Sequence, residues 1–184
     1  IGRNGSIQHY NYCYFRTTLD GYLKMKTPEE RITELGYKLP PPIILPKGLH
    51  LPFNFVNVRG NRVFISGHPR HSDNGKIDGP YGKVGRDLTM DQAHIAAREI
   101  ALSVLSNLKH EIGELSRITG WGRVFGMVNS TPDFDEQHLV INGFSDLIID
   151  IFGKNIGNHA RSAIGVAGLP MNFAIEIEGE LEIQ

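Results

Sequence analysis

Arg161 and Glu176 lie fifteen positions apart, with Leu169-Pro170 between them, and few other residues in the chain have the types and spacing that chemistry needs. A guanidinium is permanently charged and grips a planar carboxylate through two parallel hydrogen bonds. A glutamate can take up a proton or orient a water. The stretch from His159 to Ala163 reads as a strand entering the turn, and Ala174 to Glu180 reads as one leaving it. A hairpin would then set Arg161 and Glu176 face to face. Along the second strand Ile175, Ile177, Leu181 and Ile183 alternate with Glu176, Glu178, Glu180 and Glu182. Apolar side chains take one face and carboxylates the other. Stacked like charges need solvent or cations, and solvent serves for Glu178, Glu180 and Glu182. Glu176 is nearest the turn and the arginine. Either the two pair with each other, or Arg161 holds the carboxylate of a small ligand and Glu176 is left to handle a water.

Other residues with chemical potential have plainer readings beside them. His50, His68 and His71 suggest metal ligands, but there is no helical His-Glu-x-x-His spacing and no cysteine pair, so no metal is expected. His159 precedes Arg161 and reads as a strand-end histidine or as a hydrogen-bonding residue at a pocket edge. Ser130-Thr131-Pro132-Asp133 has the residues of a turn and helix cap rather than of a nucleophile. Cys13 has no evident base to activate it. Trp121, between Gly120 and Gly122, reads as packing. The stretch 67–87 holds Asn74-Gly75, Asp78-Gly79, Gly82 and Gly85, which does not match the spacing of a phosphate-binding loop. It reads as a long polar loop compatible with a lid.

His159-Ala-Arg-Ser-Ala-Ile-Gly-Val-Ala-Gly-Leu-Pro170, followed by Ile175-Glu-Ile-Glu178, resembles the C-terminal signature of the YjgF/RidA family, also labelled endoribonuclease L-PSP. Val58 to Gly67, with a Gly-Asn turn and a terminal Ser-Gly, is similar to that family's first hairpin. Val128-Asn-Ser-Thr-Pro-Asp-Phe134 is similar to its link into the second helix. Thr27-Pro-Glu-Glu-Arg-Ile-Thr-Glu-Leu-Gly36, with Leu39-Pro-Pro-Pro42, resembles a longer subgroup. The resemblance spans residues 27–184 and implies a chorismate-mutase-like fold assembled as a homotrimer, with ligand clefts between subunits. It further implies hydrolysis of 2-aminoacrylate or 2-iminopropionate-type enamines and imines to 2-keto acids and ammonia, without a cofactor. By the same resemblance Arg161 binds the substrate carboxylate and Glu176 positions or activates water. Ser66 and Gly67 form the pocket wall. Phe53 stands where many members have a tyrosine, so a hydroxyl contact is missing, and His68 stands where a glutamine is common. The family's helix asparagine aligns best with Ser145, and Asn142 lies one turn earlier. A base needs a raised pKa, whereas a neighbouring Arg161 would lower that of Glu176 and leave it to orient water by hydrogen bonding. Two further readings stand beside the enzyme: a non-catalytic trimeric module that binds small carboxylates, and the ribonuclease or translation inhibitor carried in one family label.

The elements that must position these residues carry clear punctuation. Thr27, Pro28 and Glu30 predict a capped helix ending near Gly36. Leu39 to Pro46 predicts an extended connector. Phe53–Val58 and Arg62–Ser66 read as strands turning at Arg59-Gly60-Asn61. Thr89 and Gln92 form a second capping box, opening a helix to Ile112 whose Ala93, Ala97, Ile100, Val104, Leu108 and Ile112 make a core stripe. Arg123–Asn129 reads as a third strand, and 135–152 as a helix that stops at Gly153. The pattern predicts one α+β domain over 27–184: a single mixed sheet of about six strands with two helices on one face. If Ile175 and Ile177 face those helices, Arg161 and Glu176 fall together on the other face, with Phe53 and Met171. Residues 1–26 fit no pattern and form an extension outside the resemblance.

Composition narrows the class of partner. The formal net charge is −1 and the cations are scattered, so the basic stripe of a nucleic-acid binder is absent from the sequence. Cys13 is the single cysteine, which excludes an intrachain disulfide. There is no apolar run of membrane-spanning length and no signal-peptide pattern, which leads to the expectation of a cytoplasmic protein.

Overall fold

The computed structural model describes residues 17–19, 22–24 and 26–184. The aromatic stretch Asn4 to Phe15, including Cys13, lies outside the described residues. Strands β1 (Thr17–Leu19) and β2 (Tyr22–Lys24) pair antiparallel as a small separate sheet. Helix α1 (Pro28–Glu34) begins as its sequence requires: the Thr27 hydroxyl and the Glu30 carboxylate satisfy each other's backbone N–H groups.

The main sheet has five strands in the order β3-β4-β7-β5-β6. They are β3 (Val56–Arg59), β4 (Arg62–His68), β5 (Ile118–Asn129), β6 (Ala160–Val166) and β7 (Ile175–Ile183). The first of these begins three residues later than expected, and β5 runs five residues further upstream than the predicted 123–129. Helix α2 (Met90–Ile112) carries the expected Thr89–Gln92 capping box, and every residue of its predicted apolar stripe is buried. Helix α3 (Gln137–Gly157) breaks its helical geometry at Gly153, where a stop was expected, then adds a short turn before ending. Both long helices pack on the face of the sheet that carries Val124, Val128, Ile175, Ile177 and Leu181, and together they enclose the core.

The predicted hairpin of β6 with β7 does not form. β6 pairs parallel to β5 as the α3 crossover requires, and β7 passes beyond β5 to insert between it and β4. The physical reason lies in the two strands themselves. β7 has nine residues with Ile175, Ile177, Leu181 and Ile183 buried on one face, broken only at Gly179, and profits from neighbours on both sides. β6 has seven residues, of which Ala160, Ile164 and Gly165 are exposed and none is buried, and an edge is the place where it loses least.

The connector around Pro40 to Ile43 lies along α2. Ser106 donates to the Pro40 carbonyl at 2.6 Å, and the Ile43 N–H donates to Asn107 at 2.9 Å. The loop 67–87 is likewise tied down. Lys83 Nζ donates to Asn129 Oδ1 at 2.8 Å and to the Ala167 carbonyl at 2.9 Å, and Tyr81 stacks on Phe173.

Candidate functional site

Register decides which side chains can meet. Arg161 pairs with Val124 on β5, so it shares the helix-facing side of the sheet. Glu176 pairs with Met127, one position out of phase with the buried Val128, and points to the open face with Glu178. The expectation that Arg161 and Glu176 face one another is therefore corrected. They are separated by an intervening strand, by three positions of register, and by the sheet itself. Spacings of about 4.8 Å between strands and 3.3 Å per residue put their Cα atoms roughly 14 Å apart, with side chains that diverge.

At the β6 edge, Arg161 Nη1 donates to Ser145 Oγ at 3.0 Å, and Nη2 donates to the His138 carbonyl at 3.3 Å. Ser145 lies 2.9 Å from His159 Nε2, and His159 Nδ1 lies 2.7 Å from the Gly157 carbonyl. Asn142, one turn earlier on α3, is half-buried and its side chain makes no hydrogen bond among the described residues. Among those residues no carboxylate lies within ion-pair distance of Arg161. Burial lowers the pKa of this half-buried guanidinium, with Asp146 working weakly the other way. A cation taken partly out of water and given only neutral oxygens is short of counter-charge, and an anion arriving there gains what water no longer supplies.

On the open face the Glu176 carboxylate lies over Gly67. A Cβ at Gly67 would stand 1.8 Å from Oε1, so the Ser-Gly pair leaves room for this carboxylate. Burial raises the pKa of Glu176 and the charge of Glu178 adds to the effect. The lowering expected from a neighbouring Arg161 is absent because the arginine is elsewhere. Ser66 donates to the Asn54 carbonyl at 2.7 Å and lines, with Phe53, Asn54, Phe125 and Glu178, an open-face cavity of about 580 Å³. Phe53 is half-exposed, edge-on to Phe55, which in turn meets His68.

The predicted site residues thus fall into two halves: Phe53, Ser66, Gly67 and Glu176 on the open face, and Arg161, Ser145 and Asn142 at the β6 edge. The histidines weighed as ligands are otherwise employed. His68 and His71 are buried and donate to the Ser66 and Pro41 carbonyls at 2.6 Å and 2.8 Å, and His50 is exposed. Trp121 is buried against Phe144. Thr131 to Phe134 form a turn closed by the Phe134 N–H on the Thr131 carbonyl, while Ser130 bridges to Val84, and the helix begins at Gln137 with Glu136 before it and no side-chain cap. The residue that sequence reasoning undervalued is His159. Its signal was its place: His159 comes immediately before β6 and two positions from Arg161, near enough for both to reach Ser145. No helix among the described residues is long and apolar enough to cross a membrane.

Comparison with known proteins identifies the fold and the lineage. Residues 29–177 match the family described as "YjgF/chorismate mutase-like, putative endoribonuclease". The chain is 37% identical over 144 residues to protein TCP17 of Trypanosoma cruzi, covering 77% of this chain and 88% of that one. It is 38% identical to the protein Atu1372 of Agrobacterium tumefaciens, with a TM-score of 0.74 over 85% of this chain and 92% of that one. A structure from Shewanella oneidensis MR-1 is 28% identical, with a TM-score of 0.76 over 86% of this chain and 100% of the other. A family match across most of the chain, and a relative of this identity that folds alike, establish that the chain belongs to the YjgF/RidA family.

Proposed function

We propose that this protein is an enamine/imine deaminase that hydrolyses 2-aminoacrylate and 2-iminopropionate-type intermediates to 2-keto acids and ammonia. The observation that carries the reading is Arg161, half-buried and donating only to neutral oxygens. It offers its remaining N–H donors to a carboxylate, and orientation by such a clamp is much of what this reaction needs. The imine carbon is already electrophilic. Water adds to it as its proton passes to Glu176, Glu176 hands that proton on to the nitrogen, and the carbinolamine collapses to the keto acid, its hydroxyl proton passing through Glu176 to the nitrogen that leaves as ammonia. A glutamate with a raised pKa is suited to holding that proton.

Arg161 and Glu176 of one chain are too far apart to hold one short keto acid. The cleft is therefore proposed to form between copies of a homotrimer, with the β6 edge and Arg161 of one copy facing Glu176 and Gly67 of the next. Generating 2-iminopropionate with a serine dehydratase and trapping it with semicarbazide tests the reaction. Wild type is expected to diminish trapping, and Arg161→Ala and Glu176→Gln are each expected to lose at least about tenfold in kcat/KM, the scale of one charged hydrogen bond. Co-assembling the two variants is expected to restore part of the activity, since some clefts then receive both native residues. The acid limb of the rate profile should lie above the usual carboxylate range, because Glu176 must be ionised to accept the proton. Absence of catalysis by wild type overturns the reading, and absence of restoration overturns the shared cleft. Phe53, without a tyrosine hydroxyl, favours as second reading a module that binds small carboxylates without turnover, for which wild type would be protected by 2-oxobutyrate yet leave trapping unchanged.

A further inference from the structure

The hydrogen bonds behind Arg161 have a direction that the side chains themselves impose. The Gly157 carbonyl can only accept, so at 2.7 Å His159 Nδ1 must carry the proton. Burial and the nearby Arg161 charge lower the pKa of His159, which keeps the ring neutral and leaves Nε2 as a bare lone pair. Ser145 Oγ, 2.9 Å away, can meet that lone pair only by donating its hydroxyl hydrogen. Its own lone pairs then turn away from the ring, toward Arg161 Nη1 at 3.0 Å. A free hydroxyl rotates and would present its hydrogen to the guanidinium part of the time, where it repels. Here the imidazole removes that option.

The surroundings support the same conclusion. The groups that face the imidazole are Arg161 on β6, which starts one residue after His159, Ser145 on α3 and Trp121 on β5, the last with its ring centre 6.4 Å away. Asp146, next to Ser145, acts on Arg161 only through space. The ring thus has one polar task beyond its own backbone bond, and that task is to orient the Ser145 hydroxyl. We propose that His159, acting through Ser145, is the positioning residue that aims the Arg161 guanidinium at an anionic ligand; this rests on the carboxylate-binding reading of Arg161 given above.

The test separates this role from the reading beneath it. In the full-length protein with isotope-labelled arginine side chains, nuclear magnetic resonance resolves the terminal nitrogens of a held guanidinium and averages those of a freely rotating one. Arg161→Lys assigns the signal. His159→Phe keeps the ring volume and removes the acceptor, and is expected to release Arg161 into averaging and to weaken 2-oxobutyrate binding roughly tenfold. His159→Gln supplies an acceptor oxygen and is expected to keep both close to wild type. Ser145→Ala should reproduce His159→Phe, and the double variant should be little worse than either single one, as links in one chain require. A held guanidinium and unchanged affinity in both His159→Phe and Ser145→Ala overturn the proposal. A wild type that binds no 2-oxobutyrate overturns the carboxylate reading instead, and the guanidinium signal alone then decides the positioning role.

Discussion

A Cβ placed on Gly67 would come 1.8 Å from Oε1 of Glu176 and 2.7 Å from its Cδ, while the atoms it meets belong to the free end of a flexible side chain. The consequence for Gly67→Ala is specific. The fold can accommodate the methyl group by swinging the carboxylate aside, at a cost within about 1 kcal/mol. The carboxylate that the proposed reaction uses as proton acceptor is then displaced by an ångström or more, which is enough to cost about tenfold to a hundredfold in turnover. We expect imine hydrolysis to fall by that factor while 2-oxobutyrate affinity at Arg161 stays within about twofold. Undiminished turnover in this variant would remove Glu176 from the mechanism. The same contact explains why the glycine follows Ser66: the serine hydroxyl is committed to the Asn54 carbonyl, and the next position must be empty for the carboxylate.

Among the elements, the crossing of α2 and α3 is the tightest joint. A Cβ at Gly143 would lie 2.1 Å from the His94 carbonyl oxygen and 3.2 Å from the Arg98 nitrogen, both backbone atoms that cannot yield without moving the helix. The His94 ring bonds the Leu139 carbonyl at 2.9 Å across the same crossing. Gly143→Ala therefore forces the two helices apart, and we expect a loss of about 3 kcal/mol, the upper end of ordinary overpacking. Urea denaturation followed by circular dichroism measures it, and a loss below about 1 kcal/mol would show that the joint is loose. Because α3 also carries Ser145 and the His138 carbonyl, a shift of that helix would reach Arg161 directly.

For the molecule as a whole, His68, buried at the end of β4, is expected to contribute to its response to acid. Burial pushes the pKa of His68 down to about 4 from an ordinary 6.5, with only the Ser66 carbonyl and His71 acting beside it. The unfolded chain takes up a proton there before the folded protein does. Stability is then complete above the unfolded value and declines as pH falls toward the folded one, by about 3 kcal/mol in all. Between pH 7 and about pH 5 we expect a loss of roughly 2 kcal/mol, with His71 adding in the same direction. His68→Gln should flatten that slope by about one proton, read from urea midpoints across the range. A slope unchanged in His68→Gln would place the acid sensitivity elsewhere.

Much of this protein was decided by local chemistry and was legible in its residues. Thr27 with Glu30 and Thr89 with Gln92 can satisfy the N–H groups of their own helix starts wherever those helices sit. The apolar stripe of α2 and the alternation of β7 had to be buried on one side. The Arg161 and Glu176 motifs were recognisable for the same reason, as residue types at fixed spacing. Strand order was not legible, because β7 could satisfy its backbone beside β6, or between β4 and β5, with the same local pattern. Only tertiary competition settles it: the longer strand, with four large aliphatic side chains on its helix-facing side, takes the centre and leaves β6 the edge. That choice moved Arg161 to the helix side, beside Ser145 and His159, and left Glu176 above Gly67 on the open face. The sequence by itself determined which residues are candidates for chemistry; the tertiary structure decided which of them meet within one chain, because the face a side chain takes depends on every strand paired with its own.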